Sequence, residues 1–193
     1  LPPLIALAGG EDHDCQRYAG MVISNLSAFR ANRVPIVEAG ALAPLVALAQ
    51  TTVLECQRAA ALSLYNLSCA AANQMAIVEA GAPVPLFQLA ASADVDCRRY
   101  SMMTLCNLAA NAETRSYAAR AGGLQALIMV AKDPDMDCRR YATIALANLA
   151  CDVLNQVQVV VHGGLKPILA MAQANDVPSQ RHAVMAINNL SAN

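Results

Sequence analysis

Tryptophan is absent from this 193-residue chain, and aromatic residues together make up only 4% of it. Charged residues are also scarce, at 14%, and the formal net charge is −1. A chain this close to neutral has no overall electrostatic attraction for nucleic acid or for an acidic membrane surface. No apolar run reaches the roughly 18 residues that a membrane-spanning helix needs. We therefore expect neither nucleic-acid binding nor a direct membrane span.

The residue spacings typical of metal, phosphate-binding and catalytic sites are also absent from the sequence. The seven cysteines include no Cys-x-x-Cys pair and no Cys/His set with zinc-site spacing. There is no Gly-rich phosphate loop after a strand. The three histidines form no evident nucleophile–base pair with a cysteine or serine. We expect a protein that is not an enzyme and that has no catalytic residues, no metal and no cofactor.

What the chain has instead is a period of 41 residues without insertion or deletion. An Asn-Leu pair, an arginine, a cysteine and a glycine each recur at this interval along the chain. Periods of about 40 residues are typical of stacked repeats, in which each unit buries its apolar face against its neighbours. The recurring cysteines are Cys15, Cys56, Cys97 and Cys138, and the recurring glycines are Gly40, Gly81, Gly122 and Gly163.

Residues 32–72 show how one repeat folds. Asn32 is expected to cap a short helix that ends at Gly40, where positive φ is wanted. A second helix is expected from near Ala41, and a third, rich in Ala and Leu, from about Leu54 to Ala70. Strand signals are absent, so the fold class is all-α. We predict a single array over residues 1–193, with repeats at about 1–31 (partial), 32–72, 73–113, 114–154 and 155–193.

Helical spacing also predicts which side of the third helix is buried. In residues 54–70 the core stripe consists of Cys56, Ala60, Leu64 and Leu67. The four cysteines that share the position of Cys56 are therefore expected to be buried and reduced, acting as small core residues. Reduced thiols favour an intracellular, cytoplasmic protein, with the nucleus as the alternative compartment.

A short helix, a Gly turn, a second helix and a long third helix ending in Asn-Leu closely resemble the armadillo repeat. Residues 73–81 and 145–150 carry the characteristic strings, and the resemblance covers essentially the whole chain. It implies a right-handed α-solenoid of three-helix repeats, whose third helices line a concave groove for extended partners. The family's importin-α branch has Trp four residues before the Asn. This chain has Met21, Leu62, Met103, Ile144 and Met185 there, which argues against a receptor for basic nuclear signals. The arginine eight residues before the Asn is more similar to the β-catenin and vacuolar-adaptor branches.

Three sets of residues are candidates for a peptide-binding groove. The resemblance implies that the Asn before the last Leu hydrogen-bonds the partner's backbone, and one amide does offer both a donor and an acceptor. These residues are Asn25, Asn66, Asn107, Asn148 and Asn189. Tyrosines seven residues earlier suit peptide side chains, and they are Tyr18, Tyr100 and Tyr141. Arginines eight residues before the Asn, supplemented by Arg98 and Arg139, suit an acidic partner; the recurring set is Arg17, Arg58, Arg99, Arg140 and Arg181.

Each set also has a structural interpretation. The Asn residues could brace their own helix ends, and the tyrosines could pack between repeats. The arginines could pair with acidic residues three positions earlier, namely Asp14, Glu55, Asp96 and Asp137. Because side-chain direction at these positions depends on how the repeats stack, both interpretations stay open for all three sets.

The expected function is a protein–protein interaction scaffold or adaptor that binds an extended segment of another protein, and the recurring arginines favour an acidic segment. Two alternatives are a nuclear-transport adaptor for basic signals and a structural cytoskeletal or axonemal component. The first and last repeats lack polar outer faces, and Leu1, Leu4 and Ile5 begin an incomplete repeat. We therefore expect the chain to associate with itself, or the parent chain to continue at one or both ends.

Overall fold

The computed structural model describes residues 1–192, apart from the side chains of residues 118, 120 and 121. Within this part of the chain the secondary structure is helical and no strand occurs. The chain divides into two compact units, residues 1–104 and 105–193.

The first unit begins with a pair of helices and continues with two repeats of the three-helix order. Its helices are α1 Pro2–Ala8, α2 His13–Ala28, α3 Arg33–Glu38, α4 Leu42–Ala49, α5 Leu54–Ser68, α6 Ala71–Glu79 and α7 Pro83–Leu89. Helix α8, Val95–Ala110, crosses the division between the units. A short 3-10 helix at Arg30–Asn32 precedes α3.

The second unit repeats the same order of two short helices followed by one long helix. It contains α9 Ala112–Ala118, α10 Leu124–Val130, α11 Met136–Leu149, α12 Val153–Val161, α13 Leu165–Ala172 and α14 Val177–Leu190. A π-helical turn at Ala119–Gly123 joins α9 to α10. The long helices α11 and α14 pack against each other, as α2 and α5 do in the first unit.

The turn between the first and second helix of each repeat forms at the predicted glycine. Gly40 has φ of +89° and Gly81 has φ of +79°, in the left-handed region that side chains with a Cβ atom avoid. At the first of these turns, the amide of Gly40 donates to the carbonyl of Val37 over 2.9 Å. This geometry turns the chain sharply, so that residues 30–38 and 42–49 meet at a bend of 95°.

The predicted core stripe of the third helix is confirmed. Cys56, Ala60, Leu64 and Leu67 are all fully buried on α5. Their equivalents on α11 in the second unit, Cys138, Ala142, Leu146 and Leu149, are fully buried too. Small residues at two of the four positions let the helices approach closely, so the aliphatic residues fill the space without aromatic side chains.

Two expectations from the sequence are wrong. Cys15 is exposed, whereas Cys56, Cys97 and Cys138 are buried. The reason is that α5 lies against α2, while no long helix precedes α2 in the described chain to cover the equivalent position.

The second correction concerns Asn32, which does not cap α3 with its side chain. Its Nδ2 donates instead to the carbonyl of Leu26, 3.0 Å away, which also accepts from the backbone amide of Phe29 at the end of α2.

The same position has the same role in the other repeats. Asn73 Nδ2 donates to the carbonyl of Leu67 over 3.1 Å, and Asn155 Nδ2 to that of Leu149 over 3.1 Å. Thr114 uses its hydroxyl for the equivalent bond to Leu108. Each repeat therefore closes the end of a long helix with a side chain from the following short helix.

Among the described helices, none by itself is both long and apolar enough to cross a membrane; residues 30–38 and 42–49 satisfy the length and composition criteria only as a pair bent by 95°.

Candidate functional site

A cavity of about 360 Å³ lies on one side of α2, α5 and the first part of α8, within the first unit. It brings together Asn25, Arg58 and Tyr100, one predicted site residue from each of three successive long helices. The apolar part of the lining comes from Met21, Leu62 and neighbouring small residues. The complete lining is Met21, Ser24, Asn25, Glu55, Arg58, Ala59, Leu62, Asp96 and Tyr100.

The cavity lies on this side because of helical geometry. The core stripe of α5 faces its neighbours, so Glu55, Ala59 and Leu62, which share another side of that helix, are left to form a surface. Ala59 has no long side chain, and so the surface is recessed there between the residues of α2 and α8. Met21 and Leu62 occupy the positions at which the importin-α branch has Trp, and here they supply an aliphatic lining.

The predicted Asn residues differ from one another in their surroundings. Asn25 is exposed and lies in the cavity lining. Asn66 is buried, and its Nδ2 donates to Ser27 Oγ at the end of α2 over 3.1 Å. Asn189 Nδ2 donates to the carbonyl of Ala147, 2.9 Å away. Asn107 and Asn148 are half-buried. Asn66 and Asn189 thus connect successive long helices, and Asn25 presents an accessible amide.

The three tyrosines are also placed differently. Tyr18 is exposed, and the guanidinium of Arg17 lies over its ring at 4.3 Å from the centroid. Tyr100 stacks on Tyr65, with ring centroids 6.1 Å apart and an angle of 22° between the planes. Tyr141 is half-buried, and burial raises the pKa of its hydroxyl. Tyr100 therefore both packs within the first unit and lines the cavity.

Within the recurring set, Arg17, Arg58 and Arg140 form ion pairs. Arg17 Nη2 lies 2.9 Å from Asp14 Oδ1, and Arg140 Nη2 lies 2.5 Å from Asp137 Oδ1, as the i to i+3 spacing predicts. Arg58 does not follow this prediction, because it pairs with Asp94, 36 residues later, and not with Glu55. The remaining two arginines of the set differ in exposure, with Arg99 half-buried and Arg181 exposed.

Asp94 has two roles at once. Its Oδ1 accepts from the backbone amide of Cys97 and so caps α8, while its Oδ2 accepts from Arg58 on α5. The hydrogen-bonded guanidinium holds the pKa of this carboxyl well below its usual range. Asp176 in the second unit is similar, since it caps α14 through Ser179 and lies 3.8 Å from the Nε of Arg140.

These capping aspartates were missed by the sequence interpretation, although the period reveals them. Asp12, Asp94, Asp135 and Asp176 keep the 41-residue interval, with Val53 at the one position that departs from it. Arg17 therefore has no carboxylate 36 residues later, and its contacts are with Asp14 and Tyr18.

Arg98 and Arg139 do not supplement the recurring arginines as binding residues. Their Nη1 atoms donate to the carbonyls of Ser92, at 3.0 Å, and Asp133, at 2.6 Å, in the loops that precede their own helices. These two side chains therefore fix the start of a long helix, which is a structural role. No group of three or more His, Cys, Asp or Glu side chains that could hold a metal occurs among the described residues.

Comparison with known proteins agrees with this architecture. Residues 30–69 match the Armadillo/beta-catenin-like repeat. A computationally designed armadillo repeat protein for modular peptide recognition superposes with a TM-score of 0.92 at 25% sequence identity, covering 98% of this chain and 81% of the other. An engineered protein gives a TM-score of 0.88 at 27% identity, with 98% and 78% covered.

A third solved structure, a designed armadillo repeat protein in complex with the peptide (KR)4, gives a TM-score of 0.89 at 24% identity, with 98% and 81% covered. No curated protein matches the chain. These likenesses confirm the all-α armadillo repeat fold. They do not distinguish the β-catenin or vacuolar-adaptor type from the importin-α type.

Proposed function

We propose that the chain is a protein-binding scaffold or adaptor, not an enzyme, that holds an extended segment of another protein against its long helices. The observation that carries the proposal is the cavity in which Asn25, Arg58 and Tyr100 meet beside Met21 and Leu62. Support also comes from the structural neighbour that was designed for modular peptide recognition.

The cavity has the groups that an extended peptide needs. An extended backbone cannot satisfy its own amide and carbonyl groups, and the exposed amide of Asn25 offers one donor and one acceptor. Met21 and Leu62 offer apolar contact to a side chain, and Tyr100 adds a ring face. Packed helices lie roughly 8–10 Å apart, so at about 3.4 Å per residue each long helix would meet every second or third residue of the bound segment.

Charge argues for a neutral or basic segment at this cavity and not for the acidic one expected from the sequence. The charge of Arg58 is already balanced by Asp94 at 2.5 Å. Glu55 and Asp96 also belong to the lining, and within the described chain neither forms an ion pair. An acidic side chain here would meet two carboxylates and an occupied arginine, whereas a lysine or arginine would meet complementary charge.

The nuclear-transport adaptor and the cytoskeletal or axonemal component remain the alternatives. The first would use the same cavity without the Trp positions of that branch, and the second would use another face. We keep the cytoplasmic location as part of the proposal, with the nucleus as its alternative. Its support is that all seven cysteines are free thiols, three of them buried.

The proposal is tested with a phage library of random dodecapeptides selected on the 193-residue chain. Selected peptides are then measured by fluorescence polarisation against three variants: Asn25→Ala, Leu62→Ser and Glu79→Ala. Glu79 is exposed at the end of α6, outside the cavity, and serves as the matched control. Weaker binding to the first two variants with unchanged binding to the third is expected. Equal binding to all three variants would refute the assignment of the groove. Selection of acidic peptides only would refute the charge assigned to the bound segment.

A further inference from the structure

Part of the cavity beside α2, α5 and α8 corresponds to the place that two tyrosine rings occupy one repeat later. Tyr65 and Tyr100 stack, with their ring centroids 6.1 Å apart. The same two positions of the preceding repeat hold Ser24 and Ala59, and both of these small residues line the cavity. A recess therefore opens at Ser24 and Ala59 because both rings of the stacked pair are replaced there by small side chains.

The small residue at position 59 is particular to this repeat. All other repeats have a ring seven residues before the recurring Asn, namely Tyr18, Tyr100, Tyr141 and His182. Ala59 has only a methyl group at this position, and that group belongs to the cavity lining. The backbone of a long helix accepts a ring here in the other repeats, so the recess depends on the identity of one side chain.

The walls of the recess suit a side chain that is long and ends in a flat group. Met21 and Leu62 supply aliphatic contact, and the half-buried Tyr100 supplies a ring. A guanidinium stacks well on a tyrosine ring, and the chain has such a contact where Arg17 lies over Tyr18, 4.3 Å from the ring centroid.

The lining also contains two carboxylates without a cation. Glu55 and Asp96 occupy the same repeat position on the long helices α5 and α8. Within the described chain neither forms an ion pair, and Arg58, the arginine of the lining, is already paired with Asp94. A cation that enters the recess would therefore meet two carboxylates that no other group neutralises.

We infer that the recess is a specificity pocket for one arginine side chain of the bound segment, and that Ala59 is the residue that determines it. The aliphatic part of the arginine lies along the apolar wall, and its guanidinium stacks on Tyr100 near Glu55 and Asp96. Lysine has the charge without the flat group, and phenylalanine has the flat group without the charge. The inference rests on the proposed peptide binding and adds which side chain of the partner is recognised, and where.

Dodecapeptides selected from the random library on the 193-residue chain are the probes. Each peptide is resynthesised with its arginines replaced one at a time by citrulline, which keeps the flat group without the charge, or by lysine. Fluorescence polarisation should find one arginine whose replacement by citrulline weakens binding about tenfold or more, because the two carboxylates lose their cation. Lysine at this position should restore only part of the affinity, because it does not stack on the ring.

Ala59→Tyr fills the recess and should weaken binding of the same peptides about tenfold or more, because it expels the buried charged side chain. In this variant the citrulline replacement should cause little further loss. Ala72→Tyr is the matched control, because Ala72 is exposed on α6 and lies outside the cavity lining. Circular dichroism melts of each variant establish that it is folded.

The double variant Glu55→Gln/Asp96→Asn tests the pocket without placing a ring in a packed site. It keeps the size of the recess but removes both charges, so arginine and citrulline peptides should bind it almost equally. Failure to select any peptide would count against the proposed function and overturn the inference with it. The inference alone is overturned if binding is weakened by Leu62→Ser but not by Ala59→Tyr. Equal or better binding with lysine or an aromatic residue, or a full preference for arginine in the double variant, would also overturn it.

Discussion

Arg58 Nη2 on α5 lies 2.5 Å from Asp94 Oδ2, and Asp94 is also the residue that caps α8. The ion pair therefore connects the first part of one long helix to the start of the next. One carboxylate satisfies an orphan amide and balances an arginine, so substitutions at Asp94 separate the two effects. Asparagine keeps a capping oxygen but no charge, and alanine keeps neither.

The first prediction concerns pH. Because Arg58 lowers the pKa of Asp94 in the folded chain, the carboxylate contributes stability that is fully present above the unfolded-state value of about 3.9. That stability is lost as the pH falls further, through the folded-state pKa. In urea unfolding experiments from pH 7 to pH 2, the unmodified chain should lose its stability advantage over Asp94→Asn. If the difference in unfolding free energy between the two proteins stays constant over this range, the assignment is contradicted. Glu79→Gln is the control for an exposed carboxylate.

The second prediction separates Asn66 from Asn25. Asn66→Ala removes a buried hydrogen bond to Ser27 Oγ and should lower the unfolding free energy by about 1 kcal/mol. Asn25→Ala changes an exposed side chain and should leave the free energy of unfolding nearly unchanged. Chemical denaturation of the two variants at neutral pH is the measurement. Equal losses would mean that Asn25 also has a bracing role in the single chain.

The third prediction concerns thiol reactivity. Burial, reinforced by a hydrogen bond with Asp94, raises the pKa of Cys97 to about 12, so almost none of it is thiolate at neutral pH. Cys56 and Cys138 are equally buried, whereas Cys15, Cys69 and Cys151 are exposed. Mass spectrometry after brief alkylation of the native protein should find label on the exposed group only. Rapid modification of Cys97 without unfolding would show that the core stripe of α8 is misplaced.

The fourth prediction is a stabilising substitution. The hydroxyl of Ser101 is buried and has no hydrogen-bond partner in the described part of the chain, at a position where Ala60 and Ala142 stand in other repeats. Ser101→Ala should raise the unfolding free energy by about 1 kcal/mol, because an unsatisfied buried hydroxyl is removed.

Ser63→Ala is the matched control for this change. The hydroxyl of Ser63 is equally buried but donates to the carbonyl of Ala59 over 2.7 Å, so its removal should not stabilise the chain. Thermal and urea unfolding of both variants provide the comparison. A Ser101→Ala protein less stable than the unmodified chain would indicate that the hydroxyl does have a partner in solution.

Much of the fold could be predicted because each repeat is a local structure. The turn at Gly40 needs only a residue that tolerates positive φ, and the buried stripe from Cys56 to Leu67 follows from the pitch of a single helix. The same pattern recurs in every repeat, so each repeat predicts the same helix boundaries. The 41-residue period also contained the capping aspartates, although their pairing with arginine does not follow from spacing within one helix.

The sequence by itself therefore determined the helices, their turns and the side that each long helix buries. Tertiary structure alone decided which groups meet across repeats: Arg58 reaches Asp94 and not the nearer Glu55, and Asn66 turns its amide to Ser27. It also decided that Cys15 is exposed while its three counterparts are buried. The physical reason is the same in each case, because the environment of a side chain on a long helix is completed by the adjacent repeat, and only the stacked structure shows which atoms that repeat supplies.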